Sequence, residues 1–367
     1  MISKYPPIQG GISTKTYWLA KGLAERGVET HVVTNGNCVE SEYRIEGTSP
    51  EALPNLHVHF VDPGIPWHIP FSDLYVPRLL DKALQVTRKN QIDLIDTGYL
   101  IPYGIVGHFL SGITGIPYVL RHGGSDIEKF LREGVFNDLL KKVIQKAGAI
   151  ITDRHNREVF QVLNSRVYLA PKYIPDERYF KPSLSPHGTA TFAYIGKINY
   201  YWRHKGLHRI VEIFSGIKGD YRLFLVGQGK GFQDFSEFVS GYGLRKFEIR
   251  QFVHPVNMPR LLNEIDFLIC FAKDNPIHDF SNIFCEALWS GVRVLTDDAM
   301  DLSVYSEYIE LSSKAQIVKL PIDDVEATRT KITEMIRDWK EPARYNNTIK
   351  YSFNRYLDTN LEIYSCI

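Results

Sequence analysis

Cysteine is scarce in this chain. Four occur in 367 residues, Cys38, Cys270, Cys285 and Cys366, without metal-like or redox spacing. Cys270 and Cys285 stand among apolar neighbours and read as small core residues, which suits a reducing compartment. Net charge is also nearly absent, at +1. No bulk field therefore favours nucleic acid or an anionic membrane, and any phosphate recognition has to be local. The N-terminus MISKYPPIQGG holds no apolar run of signal-peptide length. No stretch approaches the roughly 20 apolar residues of a membrane span. There is no Asp-x-Asp, so Mg²⁺ held between carboxylates and substrate phosphates has no obvious seat. Walker A and Gly-x-Ser-x-Gly patterns are missing as well. Internal repeats and low-complexity tracts are not found.

What is present is the composition of a globular protein, 44% hydrophobic and 23% charged. The length implies two domains of roughly 170–190 residues. Strand-like runs are Glu29–Thr34, Leu56–Val61, Leu94–Asp96, Tyr118–Arg121 and Ala149–Thr152, then Thr191–Ile195, Arg222–Val226, Phe247–Phe252, Phe267–Phe271 and Val292–Thr296. Several are nearly continuous in apolar residues, as buried parallel strands are. Amphipathic helices alternate with them. In the first, Ile12, Thr16, Leu19 and Leu23 fall on one face and Gly27 stops it. Repeated βα units predict two doubly wound α/β sheets. The proline-rich, weakly periodic segment Pro171–Ser185 marks the boundary. Met1-Ile2-Ser3 reads as the tail of a first strand whose opening residues are missing. Tyr351–Tyr364 is helix-compatible; it either caps the second domain or crosses back onto the first.

The most informative stretch is Asp274–Gly291, DNPIHDFSNIFCEALWSG. A polar loop feeds a helix start at Ser281-Asn282 with Glu286 inside the helix, and such a start is an anion site. Lys197 and Lys205 lie between the strand Thr191–Ile195 and the helix near Leu207, where they would grip a diphosphate; the plainer reading is a solvated basic loop. Tyr200, Tyr201 and Trp202 between them suit either recognition or packing. Pro6-Pro7-Ile8-Gln9-Gly10-Gly11 is a stiff loop whose glycines allow close backbone approach to a ligand, or else an ordinary strand-to-helix turn. Two glycines after His122 leave its imidazole uncovered for a phosphate, a hydroxyl or a proton; alternatively Ser125 or Asp126 caps a turn there. Gly227-Gln228-Gly229-Lys230-Gly231 partly matches a dinucleotide fingerprint, with Phe232 where the last glycine would fall and Glu248 about 20 residues on. The aromatic-basic stretch Trp67–Lys89 reads as a core-facing helix, with a membrane-surface role as the alternative.

Taken together these segments resemble the GT-B glycosyltransferases of family 4, over nearly the whole chain. PPIQGGISTKTYWLAKGLAERGVETHVVT is similar to the family's opening glycine loop, helix and second strand. YIGKI followed by KG resembles its phosphate-gripping pair, with Lys197 in the arginine place. IPDERYF, LFLVGQGKG and DFSNIFCEALWSGVRVL resemble its linker, its glycine turn and its donor motif. The resemblance implies a GT-B fold: two Rossmann-like doubly wound domains facing a cleft, at 1–178 and 179–350, with 351–367 crossing back to the first. It implies transfer from a nucleotide-diphosphate sugar of UDP or GDP type, with retention, without metal or other cofactor, to a small-molecule, lipid-linked or glycan acceptor. On this chain Glu286 would hold the ribose hydroxyls, amides of Phe280, Ser281, Asn282 and Ile283 would meet the diphosphate, and Lys197 and Lys205 would neutralise the leaving nucleotide. Val253 would lie by the base and His278 by the donor sugar. Gly10 and Gly11 would form the acceptor-side loop, Gly11 letting it close on the donor phosphates, and His122 would contact the acceptor or donor sugar near the reacting centre; His122, Lys205 and Glu286 would be the catalytic residues. Two departures stand out. His278 replaces the first glutamate of the donor motif, and Lys197 and Lys205 are spaced more widely than the usual pair. The implied location is cytoplasmic, with peripheral contact at the inner face of the membrane left open. A nucleotide-sugar-binding protein with impaired catalysis and a nicotinamide oxidoreductase are the alternatives.

Overall fold

The structure is a computed structural model of the whole chain. It describes residues 1–46, 52–62, 76–132, 134, 136–183, 187–244, 246–275 and 280–367. Two compact units make up the molecule: unit 1 is 1–173 with 353–367, and unit 2 is 174–352.

Unit 1 is a parallel sheet with helices against it. Its strands are β1 (Thr30–Thr34), β2 (Leu56–Phe60), β3 (Ile95–Thr97), β4 (Tyr118–Leu120), β5 (Ala149–Thr152) and β6 (Val167–Leu169). β1 pairs with β2, and β3 to β6 pair in sequence order, all parallel. Ile2 joins the two ladders by bridging in parallel to both Val33 and Thr97. The amide of Ile2 donates to Asp96 O at 2.8 Å and that of Ser3 to Val33 O at 3.2 Å. Residues 1–3 thus occupy the centre of the sheet. β1, β3, β4 and β5 are fully buried, and β4 and β5 accordingly read as nearly unbroken apolar runs, while β1 and β3 also bury His31 and Asp96.

The first helix, Gly11–Glu25, buries most of its length, including Trp18, Leu19 and Leu23. It ends at Gly27, whose φ of +82° is left-handed. Helix Val76–Lys89 faces the core with Leu79, Ala83 and Val86. Trp67, Phe71 and Tyr75, which shared its predicted aromatic-basic face, lie outside the described residues.

The last helix, Phe353–Ser365, belongs to unit 1. Gly22 of the first helix leaves room for it: a Cβ there would sit 2.8 Å from Leu357 Cδ1. Arg121 at the end of β4 binds Asp96 through Nε at 2.8 Å, and its Nη2 donates to Tyr364 Oη at 2.8 Å and to Asn360 Oδ1. Tyr364 in turn donates to Asp96. This buried network stitches the helix to the sheet.

Unit 2 has β7 (Ala190–Ile195), β8 (Tyr221–Val226), β9 (Glu248–Arg250), β10 (Phe267–Ile269), β11 (Arg293–Thr296), β12 (Ile309–Glu310), β13 (Ile317–Lys319) and β14 (Thr348–Ile349). Six form a parallel sheet in the order β13-β11-β10-β7-β8-β9, while β12 and β14 make a small antiparallel pair. The order reverses between β7 and β10, and ligands bind at such switch points beyond the strand C-terminal ends. A core of Phe192, Phe214, Leu225, Phe235 and Ile269 fills one face. Among the described residues no helix is long and apolar enough to cross a membrane.

Candidate functional site

The described donor residues predicted in unit 2, Lys197, Val253, Phe280 to Ile283 and Glu286, follow the C-terminal ends of its strands. Ser281 is the N-cap of helix Asn282–Trp289; its Oγ accepts from Phe284 N at 3.4 Å. The first intrahelical donor is Cys285 N, to Ser281 O at 3.1 Å. The amides of Asn282 and Ile283 therefore lie ahead of the ladder, at the positive end of the helix. Tyr305 shapes this turn from outside. Its hydroxyl accepts from Ser281 N at 2.9 Å, and its ring lies 5.0 Å from that of Phe280. Glu286 is buried one turn into the helix, at 2% exposure.

Lys205 closes the short turn Trp202–Lys205 that follows β7. The thiol of Cys270, just past β10, feels the positive charge of Lys205 and bonds to the Ser281 side chain; both favour thiolate, but burial outweighs them and pushes the thiol up to about 11. Cys270 thus remains protonated. The loop carrying Lys205 is fixed by geometry. Gly206 has φ +70°, and a Cβ on it would stand 2.9 Å from Phe271 Cβ. Three residues further, Arg209 clasps Asp274 through Nε at 2.5 Å and Nη2 at 3.0 Å, which pins the chain past β10. Asp297, at the end of β11, accepts from Ala272 N at 2.7 Å and Lys273 N at 3.2 Å and holds the same segment from the other side. His278 and Asp279 lie outside the described residues.

Lys197 is half-buried, and its carbonyl lies 3.5 Å from the hydroxyl of Tyr194. Of the aromatic insert, Trp202 is a core anchor whose Nε1 donates to Asp234 at 2.7 Å, whereas Tyr200 and Tyr201 stand 70% and 60% exposed. The insert is therefore part packing and part exposed surface. Val253 is half-buried beside His254, which accepts from Val256 N at 3.3 Å and whose burial lowers its pKa to about 4.

The glycine turn after β8 serves the chain itself. A Cβ on Gly227 would meet Gly196 O at 1.8 Å, and one on Gly231 would meet Asn199 O at 2.0 Å. A dinucleotide needs such glycines to admit its pyrophosphate. Here they admit the backbone of the 196–199 loop, tied by Ile198 N to Gln228 O at 3.0 Å and Gly231 N to Ile198 O at 3.1 Å. The turn supports the lysine loop, which removes the motif that favoured a nicotinamide site.

In unit 1 the Gly10 and His122 loops are neighbours. Gly10, with φ +119°, is the N-cap of the first helix, and Gly11 is its exposed first residue. Lys15 Nζ donates to His122 O at 3.2 Å, and a Cβ on Gly123 would meet Ile12 Cδ1 at 3.2 Å. The imidazole of His122 is not uncovered, contrary to the expectation from its two following glycines. It is 3% exposed, with Nε2 2.8 Å from Thr152 Oγ1 and its ring 5.0 Å from Phe160. Neither Ser125 nor Asp126 caps the short helix Gly124–Asp126; Gly123 does. Asp126 is buried and accepts from Leu100 N at 2.8 Å. A cavity of about 30 Å³ beside His122 is lined by Ser3, Lys15, Thr152, Lys172 and Tyr356, room for a water or two.

Sequence reasoning missed Cys270, Asp297 and Tyr305. Asp297 and Cys270 directly follow strands at the ligand-binding end, a position that signals function. Tyr305 had no local signal.

Comparison with known proteins bears on both units. The family model described as Glycosyltransferase Family 4 matches residues 9–154, and the one described as Glycosyl transferases group 1 matches residues 175–352. The N-acetyl-alpha-D-glucosaminyl L-malate synthase of Bacillus anthracis is 24% identical over 306 residues, 79% of this chain and 76% of the relative. Among solved structures, Anabaena Alr3699/HepE in complex with UDP and glucose superposes with a TM-score of 0.65 at 14% identity, covering 100% of this chain and 99% of that one. Sucrose-phosphate synthase from Thermosynechococcus elongatus gives 0.64 at 16% identity over 97% and 89%.

Proposed function

The chain is a GT-B glycosyltransferase of the family 4 type, and from that we propose that it moves a hexosyl or N-acetylhexosaminyl group from a nucleoside-diphosphate donor to an acceptor hydroxyl. Transfer proceeds with retention and without a metal at the reacting centre. One observation carries the reading: Ser281 caps the helix that buries Glu286, and the loop of Lys205 packs at the same strand ends, with a Cβ on Gly206 meeting Phe271 just past β10. A lysine loop and a helix N-terminus at the ends of one sheet suit a pyrophosphate that gains charge as it leaves.

In this reading the diphosphate rests on the amides of Phe280 to Ile283, and Lys197 and Lys205 neutralise it. One lysine about 4 Å from a phosphate contributes roughly 4 kcal/mol gross at an effective dielectric of about 20, before desolvation offsets much of it. Lysine supplies charge but not the bidentate fork of arginine. Glu286, buried within the helix, holds the ribose hydroxyls, and Val253 lies by the base. Gly10 and Gly11 form the acceptor-side loop. His122, enclosed by Thr152 and Phe160, is a positioning residue that keeps this loop in place. His278, in the place of the motif's first glutamate, tunes sugar choice, since histidine can still give or take one hydrogen bond.

UDP-linked hexoses and N-acetylhexosamines are the donors to try first, because the Anabaena neighbour holds UDP and the Bacillus relative is named for an N-acetylglucosaminyl product. Lys205→Ala should lower kcat by about 10²–10³-fold, the scale of losing one preorganised charge-stabilising group. Glu286→Gln should chiefly raise the donor KM. Both should keep the wild-type circular dichroism spectrum. Full activity in both variants would sink the site assignment. Tight UDP binding by the wild type without turnover against broad acceptor panels would favour the impaired binder instead.

A further inference from the structure

Three histidines share one face of the first two strands, at the end of the sheet away from the Gly10 and His122 loops. His31 is the second residue of β1, His57 the second of β2, and the parallel register sets them side by side. His59, two residues on, points to the same face. The rings of His57 and His59 stack on that of His31 at 4.8 Å and 5.2 Å. Glu29, just ahead of β1, reaches over this group. Its Oε1 lies 3.2 Å from His31 Nε2 and 3.7 Å from His57 Nε2.

We propose that Glu29, His31 and His57 form a binding site for a divalent zinc-type ion, with water as fourth ligand and His59 as the outer partner of His31. The three donor atoms lie within 4.8 Å of one another. Bonds of about 2.0–2.1 Å at tetrahedral angles require donors roughly 3.3 Å apart, so the two measured separations need only small rotamer adjustments. Two imidazoles with one carboxylate select zinc, cobalt or copper over magnesium or calcium, which want oxygen.

The outer contact has the right form. His31 Nδ1 lies 2.9 Å from His59 Nε2. When the ion takes the Nε2 lone pair of His31, the ring proton sits on Nδ1 and is donated to His59 Nε2; His59 then carries its own proton on Nδ1. Such a partner fixes tautomer and ring orientation. Access is open, because the side chains of Glu29 and His57 are 66% and 42% exposed while His31 is held rigid at 7%. The ion would cross-link β1 and β2. It has no part in sugar transfer, so the site and the transfer reaction can fail independently.

The test uses the untagged full-length chain stripped with chelator and titrated with ZnCl₂ by calorimetry. The expected result is one saturable equivalent and a rise of a few degrees in the thermal midpoint. Glu29→Gln and His57→Ala, both at exposed positions, should each weaken binding at least tenfold, and His59→Ala about tenfold. Co²⁺ should give the intense visible bands of a tetrahedral complex. Absence of a saturable equivalent, His57→Ala binding zinc as the wild type does, or a weak octahedral cobalt spectrum would each overturn the proposal.

Discussion

Asp126 shows how a single residue can set a pH response. It is wholly buried, and desolvation raises its carboxyl from 3.8 to about 7 against the hydrogen bonds that favour its charge. Between those values the folded chain keeps a proton that the unfolded chain has released. Stability therefore falls as pH rises across the window, by at most about 4 kcal/mol. Asp126→Asn retains an acceptor for Leu100 N and should flatten this slope. Urea midpoints at about pH 5 and about pH 8 should converge in the variant and differ in the wild type. At this scale the sequence was only partly legible. The loop at His122 could be placed at a strand end, yet its covered ring could not be foreseen, because Thr152 is 30 residues away. The same holds for His31 and His57, which become neighbours only through strand register.

Among the elements, the lysine loop depends on glycine at Gly206, Gly227 and Gly231. At Gly206 the left-handed backbone and the contact with Phe271 both resist a side chain. Gly206→Ala should destabilise unit 2 by roughly 1–2 kcal/mol from the backbone alone, with more from the contact. It should also raise the donor KM, read from initial rates alongside a urea titration; an unchanged KM would mean that this loop does not shape the donor site. The central strands β4, β5, β7, β8, β10 and β11 were legible within a residue or two, because near-complete burial leaves a nearly continuous apolar run. The strands β6 and β13 escaped notice. Both are edge strands with half-exposed or exposed side chains, and neither carries that signature.

For the whole molecule, the two units differ in how the chain builds them. Unit 2 is one continuous stretch, whereas unit 1 needs both 1–173 and 353–367. The last helix contributes buried Phe353, Tyr356, Leu357 and Ile363. At about 1.5–3 kcal/mol for each buried side chain, their sum has an upper bound of roughly 6–12 kcal/mol, comparable with the entire stability of a domain. Deleting residues 353–367 should therefore unfold unit 1 and leave unit 2 cooperative. Calorimetry would show one transition persisting and limited proteolysis would yield a resistant fragment near 174–352; a truncated chain with both transitions intact would contradict this. The arrangement also sets an order of assembly in the cell. As the polypeptide emerges from the ribosome, unit 2 is complete while unit 1 still awaits its closing helix. Newly made chains should pass through a state in which unit 2 is folded and unit 1 is not.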